Sequence, residues 1–129
     1  MKWWESRPDL LEREIGEMAV YSGASLEEID GQLAWLETVV TDFGQIFDIA
    51  IVYPISYPVL PPRGIVVNPA ISSAPHRFSD GSLCLFPPSA PSFKPKLRHA
   101  KHIRGLTCFW LFCYEVYRRT GEWPAQQHT

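Results

Sequence analysis

Cys84 lies in the run Asp80-Gly81-Ser82-Leu83-Cys84-Leu85, and His76 precedes it by eight residues. Upstream, a Tyr57-Pro58 turn leads through Pro61-Pro62 into the β-branched run Ile65-Val66-Val67. The order places a cysteine in an extended, proline-braced segment just beyond a short sheet. That presentation suits thiol nucleophilic chemistry on a preformed platform. A free thiol has a pKa of about 8.5, so a nearby base or cation is needed for much thiolate at neutral pH. His76 could act on the thiol or orient the loop through backbone hydrogen bonds. The run Lys94, Lys96, Arg98, Lys101 and Arg104 could supply a cationic field, or serve as a solvated face or a docking surface for an acidic partner. The competing reading of Cys84 is a cysteine packed at the core edge between Leu83 and Leu85.

The other cysteines read differently. Cys113 falls on the apolar stripe of a C-terminal helix and behaves as a small hydrophobe. Cys108 is about 140° away around that helix, so the two cannot hold a metal together. A zinc site from His76, Cys84, His99 and His102 is disfavoured, because structural zinc sites show two compact ligand pairs and only His99/His102 qualifies. No metal or other cofactor is expected.

Positioning the candidate cysteine falls to the remaining elements. Ser6-Arg7-Pro8-Asp9 reads as a helix start with Ser6 as cap and proline in the first turn. Leu11, Ile15, Met18 and Ala19 recur at helical spacing, and Ser22-Gly23 closes a helix over about residues 7–21. The period then changes to two. Strands are expected over Leu26–Asp30, Leu33–Thr41 and Ile46–Tyr53, the last with Phe47, Ile49, Ile51 and Tyr53 on one side. Gly31-Gln32 and Thr41–Gln45 make the turns of an antiparallel meander, and Ile65–Val67 adds a fourth strand. Residues 68–98 are proline-dense with little periodicity, and so long a loop in a small domain points to function. Ile103, Leu106, Trp110, Cys113 and Tyr117 then mark a helix that Gly121 ends, followed by the hydrophobic tail Glu122-Trp123-Pro124. The expected fold is α+β, a four-stranded meander with helices on one face.

Composition sets the outer limits. The sequence of 129 residues is expected to form a single domain over 1–129. An apolar fraction of 46% with 20% charged residues excludes disorder, and a net charge of −2 gives no general attraction to nucleic acid. No stretch approaches the ~20 apolar residues of a membrane span, and the N-terminus lacks a signal-peptide core, so no membrane and a cytoplasmic location are expected. Three cysteines in such a protein argue against a disulfide framework.

These pieces together resemble the ubiquitin-conjugating enzyme (UBC) core: N-terminal helix, four-strand meander, Tyr-Pro…Pro-Pro turn, and a histidine-led flap ending in Gly-x-Leu/Ile-Cys-Leu. Here they are Tyr57-Pro58, Pro61-Pro62, His76 and Gly81-Ser82-Leu83-Cys84-Leu85, and the resemblance spans roughly residues 7–121. Cys84 lands where that family's thioester-forming cysteine lies. Eukaryotic members carry His-Pro-Asn, whose asparagine supports the oxyanion. Here His76-Arg77-Phe78 stands instead, about two residues closer to the cysteine, and two further C-terminal helices are missing. The departures are similar to the bacterial branch, whose members end in a pattern matched by Tyr114-Glu115, Arg118-Arg119-Thr120-Gly121-Glu122-Trp123-Pro124 and His128.

The resemblance implies an antiphage role in cyclic-oligonucleotide signalling (CBASS) operons. It implies that Cys84 accepts the C-terminal acyl group of a cGAS-like (DncV-like) nucleotidyltransferase and passes it to an amine. His76 then shapes the flap, and Asp80 is a candidate for orienting or deprotonating the amine. The chain has no glycine-rich phosphate loop, so ATP-dependent activation comes from a separate activating enzyme or is bypassed. The rival expectation is a non-catalytic UBC-like binding module that holds the nucleotidyltransferase.

Overall fold

The computed structural model describes residues 1–71, 74–78, 80–85 and 99–124. Lys94, Lys96, Arg98, Pro87-Pro88 and His128 lie outside them. The order is α1 (Trp3–Ser6), α2 (Pro8–Met18), β1 (Ser25–Ile29), β2 (Gln32–Val40), β3 (Ile46–Val52), β4 (Arg63–Asn68) and α3 (Ala100–Thr120). The strands form one antiparallel sheet in the order β1-β2-β3-β4, as the two-residue periodicity predicts. The β2–β3 register sets Trp35 opposite Ile51 and Glu37 opposite Ile49. The β3–β4 pairing sets Ile51 opposite Gly64, with a register shift at Asp48/Ile49.

The alternation in β3 decides which face is covered. Phe47, Ile49, Ile51 and Tyr53 are each 1% exposed, and burying an aliphatic or aromatic side chain contributes roughly 1.5–3 kcal/mol. α3 lies over this face and its Tyr114 ring meets Phe47 edge-on at 6.3 Å. The buried face of α3 is broader than the single stripe expected. Ala100, Ile103, Thr107, Trp110, Leu111, Cys113, Tyr114 and Glu115 are inside, whereas Leu106 and Tyr117 are only half-buried. Gly121, at φ 80°, closes the helix by donating its N–H to the Tyr117 carbonyl at 2.8 Å. Left-handed backbone is the conformation glycine adopts without a Cβ penalty. Among the described residues, no helix is long and apolar enough to cross a membrane.

Four sequence expectations need correction. Ser6 does not cap the first long helix. It closes the short α1 turn, donating to the Trp3 carbonyl at 3.3 Å, and Arg7 occupies the cap position of α2. The helix ends at Met18, short of residue 21. Its buried face is Leu10-Glu14-Met18, and Ile15 is 45% exposed. A polar demand turns the helix this way, because the hydroxyls and amide it packs against require a carboxylate. The reading of the basic run as a solvated face fails at Arg104, whose side chain is largely buried. Its guanidinium forks onto Glu37 with two bonds of 2.7 Å and lies 3.7 Å from the Tyr21 ring centroid.

Candidate functional site

Cys84 sits at the base of a small hairpin that runs out from His76 and returns through Ser82 and Leu83. The Phe78 N–H donates to the Ser82 carbonyl at 2.8 Å, and Gly81, at φ 91°, donates to the Phe78 carbonyl at 3.0 Å. Arg77 bridges Leu83, and the Cys84 N–H donates to the His76 carbonyl at 2.8 Å. The returning arm docks on the edge of β4. Ser82 bridges Ile65, and the Leu83 N–H donates to the Gly64 carbonyl at 3.0 Å. Leu83 and Leu85 are buried, so the alternation of extended chain turns the half-buried Cys84 the other way.

Gly64 allows this docking. A Cβ there would overlap Thr107 Oγ1 of α3 and touch Leu85 Cδ1. Only a residue without a side chain lets β4, α3 and the Cys84 arm meet at one point. The Thr107 hydroxyl is itself fixed, donating to the Ile103 carbonyl at 2.7 Å.

His76 holds the other arm by its backbone. Its φ of 63° is left-handed, which costs a non-glycine residue about 1–2 kcal/mol. Two donors meet its carbonyl: the Cys84 N–H and Trp110 Nε1, the latter at 3.1 Å. The His76 ring packs on Trp123 with centroids 4.8 Å apart, and Trp123 in turn meets Trp110 at 5.3 Å and Tyr117 at 6.1 Å. Arg77 follows with its Nε buried and without a hydrogen-bond partner.

Asp80 stands at the far turn of the hairpin. Its Oδ1 accepts from the Ser82 hydroxyl at 2.6 Å and the Ser82 N–H at 2.9 Å, while Oδ2 pairs with Arg63 at 2.6 Å. The Ser82 hydroxyl first, with its amide and Arg63, holds the Asp80 carboxyl below its ordinary range. Three residues, Gly81, Ser82 and Leu83, separate it from Cys84, which puts the two on the order of 10 Å apart along the returning arm. The Cys84 thiol moves the opposite way, because burial pushes its pKa above the usual thiol value. Cys108 is raised too, chiefly by burial, and Cys113 is buried within α3.

Among the described residues, the one group of three or more potential metal ligands is Glu14, Glu17 and His99. No three of His76, Cys84, His99 and His102 come together. His99 Nδ1 lies 2.8 Å from Glu17, and both Glu14 oxygens are already occupied. Glu14, 1% exposed, is the residue that side-chain patterning missed. Its Oε1 accepts from the Tyr53 hydroxyl at 2.7 Å and the Ala100 N–H at 2.9 Å; its Oε2 accepts from the Tyr57 hydroxyl at 3.0 Å and Arg13 at 2.9 Å. Burial first, then the Glu14 charge, pushes both phenols above the usual tyrosine range and keeps them as donors. One carboxylate thus ties α2, the end of β3, the Tyr57-Pro58 turn and the first amide of α3. The spacing Leu10-Glu14-Met18 was the available signal.

A helix, a four-stranded meander, a cysteine-bearing hairpin on the β4 edge and a covering helix define the ubiquitin-conjugating enzyme fold. The chain matches human ubiquitin-conjugating enzyme E2 G1 with a TM-score of 0.54 at 20% identity, over 80% of this chain and 92% of that one. The family model described as "Type II CBASS E2 protein" matches residues 15–129, and the chain belongs to that family. No curated protein matches it.

Proposed function

We propose that this protein is a cysteine-dependent acyl carrier of antiphage defence, working in the cytoplasm, with Cys84 as the nucleophile. The Cys84 thiolate attacks the activated C-terminal carbonyl of a partner protein, of the cGAS-like nucleotidyltransferase type. A C–S bond forms as the bond to the leaving group breaks, and the leaving group departs with the electron pair. A separate activating enzyme supplies the activated acyl group, for instance as an acyl phosphate derivative. An amine, such as a lysine side chain, then attacks the thioester carbonyl. The amide forms, the thiolate leaves, and the amine proton passes to solvent or a base.

The observation that carries this reading is the placement of Cys84. It is half-buried at the base of a hairpin docked by backbone hydrogen bonds, with its leucine neighbours anchored in the core. His76 serves through its carbonyl, fixing the Cys84 backbone. Asp80 holds the turn of the same hairpin through Ser82 and Arg63, so its part is to position the arm that carries Cys84.

The raised pKa of Cys84 and the committed carboxylate of Asp80 favour a second reading, a non-catalytic module that holds the nucleotidyltransferase. Co-expression with the operon partner separates the two. A carrier gives an adduct on non-reducing gels that reductant or hydroxylamine removes and Cys84→Ala abolishes. Co-purification without any such adduct identifies the binding module.

A further inference from the structure

Two tryptophans converge on His76 from the C-terminal side of the fold, and neither is accounted for by the chemistry of a thiol. Trp110 Nε1 donates to the His76 carbonyl at 3.1 Å. Trp123, beyond the end of α3, lays its ring 4.8 Å from the His76 ring and 5.3 Å from Trp110. The His76 carbonyl is also the acceptor of the Cys84 N–H. A chain of direct contacts therefore runs from the C-terminal tail to the candidate nucleophile: Trp123 ring, His76 ring, His76 carbonyl, Cys84 backbone.

The backbone at His76 gives that chain a purpose. A left-handed φ of 63° on a residue with a Cβ persists only where its surroundings over-determine it. The carbonyl has two donors, but both reach it only while the peptide keeps its orientation. The imidazole ring is the handle on that orientation. Trp123 is the half-buried end of an aromatic stack that includes Trp110 and Tyr117, and it packs over the handle.

We propose that Trp123 is a positioning residue for Cys84: its ring clamps the His76 side chain, and so holds the carbonyl that fixes the Cys84 backbone. The catalytic consequence rests on the carrier reading above; the clamp itself does not. The position is well chosen for the task. Trp123 follows the Gly121 stop, so it is attached to α3 through a defined cap while lying outside the hydrogen-bonded helix.

The test uses the full chain with Trp123→Ala and Trp123→Phe. Amide hydrogen exchange is read at Cys84 and, as an internal standard, across β3. The clamp predicts that Trp123→Ala speeds Cys84 exchange on the order of tenfold while the β3 amides keep their protection. Trp123→Phe, which retains a ring at the contact, stays within about threefold of the parent. Equal acceleration of Cys84 and β3 would make Trp123 an ordinary stabilising residue and overturn the proposal, as would no change at either. The co-expression assay adds the catalytic arm, where Trp123→Ala lowers adduct yield on the order of tenfold and Trp123→Phe restores it. Wild-type yield from Trp123→Ala, despite a loosened Cys84 amide, would overturn the catalytic consequence. If even the parent chain gives no adduct, the carrier reading fails, and the exchange data alone still decide the clamp.

Discussion

The junction around Glu14 and the hairpin bearing Cys84 are held by opposite means. At the junction, a carboxylate 1% exposed satisfies four donors from four separate parts of the chain, with tryptophan and tyrosine rings packed about it. Trp35 Nε1 donates to the Tyr53 hydroxyl at 2.9 Å, and Trp3 lies 5.0 Å from the Tyr53 ring and 4.8 Å from that of Tyr57. At the hairpin, a few backbone hydrogen bonds, one exposed ion pair and a stack of aromatic rings do the holding. Polar satisfaction in a dry setting makes the first region the rigid frame. The second stays near solvent, where each contact is worth less and a reacting group can enter.

Removing Glu14 should break that contrast most completely. Glu14→Ala strands two phenols, an amide and Arg13, and is expected to cost roughly 3 kcal/mol, in the lower part of the usual range because Arg13 reaches solvent. The denaturant midpoint would fall with its slope unchanged. Gly64→Ala comes next. Its new Cβ overlaps Thr107 Oγ1, an overpacking expected to cost about 1–3 kcal/mol, and Thr107→Ala in the same chain should recover part of that loss. Absence of coupling between the two substitutions would show that β4 and α3 do not meet there. Asp80→Ala is smaller, about 1 kcal/mol or less, because its partners are half-exposed. Its effect should be confined to amide exchange in the hairpin.

Acid and alkali should act on different regions. The Asp80 carboxyl is depressed below its ordinary 3.8, so its contribution is fully present above that pH and is lost as pH falls through the folded value. The Tyr53 and Tyr57 phenols are raised above 10.0, so the junction is intact below that pH and weakens as pH climbs toward their folded values. Hairpin amides loosening in acid, and tyrosine absorbance changing together with unfolding in alkali, would be the observed signs. Cys84 sharpens the same comparison kinetically. With its pKa raised by burial, alkylation by a small thiol reagent should keep rising with pH past the ordinary thiol range.

The meander was legible because alternation along Phe47, Ile49, Ile51 and Tyr53 has a single structural solution. The Tyr57-Pro58 turn and Gly121 were legible for a similar reason, since proline and glycine state their backbone needs locally. Other features were hidden by the kind of information they carry. Glu14 interrupts an apolar stripe, and only the later Tyr53, Tyr57 and Ala100 explain why a carboxylate belongs there. Ser6 looked like a cap because Pro8 follows it, yet the α1 turn had already claimed it. His76 was noticed for its ring, whereas its contacts to Cys84 and Trp110 run through its carbonyl, which every residue possesses. Cys84 stood out by position, and the pairing of Leu83 with Gly64 is what no local pattern encodes.

The central claim is a covalent bond at Cys84. Substituting Cys84→Lys replaces the labile thioester with a stable amide, and co-expression followed by tandem mass spectrometry reads the junction directly. A peptide joining position 84 to the C-terminal residue of the proposed nucleotidyltransferase partner, lighter than the two components by one water, is the result expected. Unmodified peptide at that position, from protein that still co-purifies with its partner and after wild-type chain has likewise shown no hydroxylamine-sensitive adduct, would contradict it.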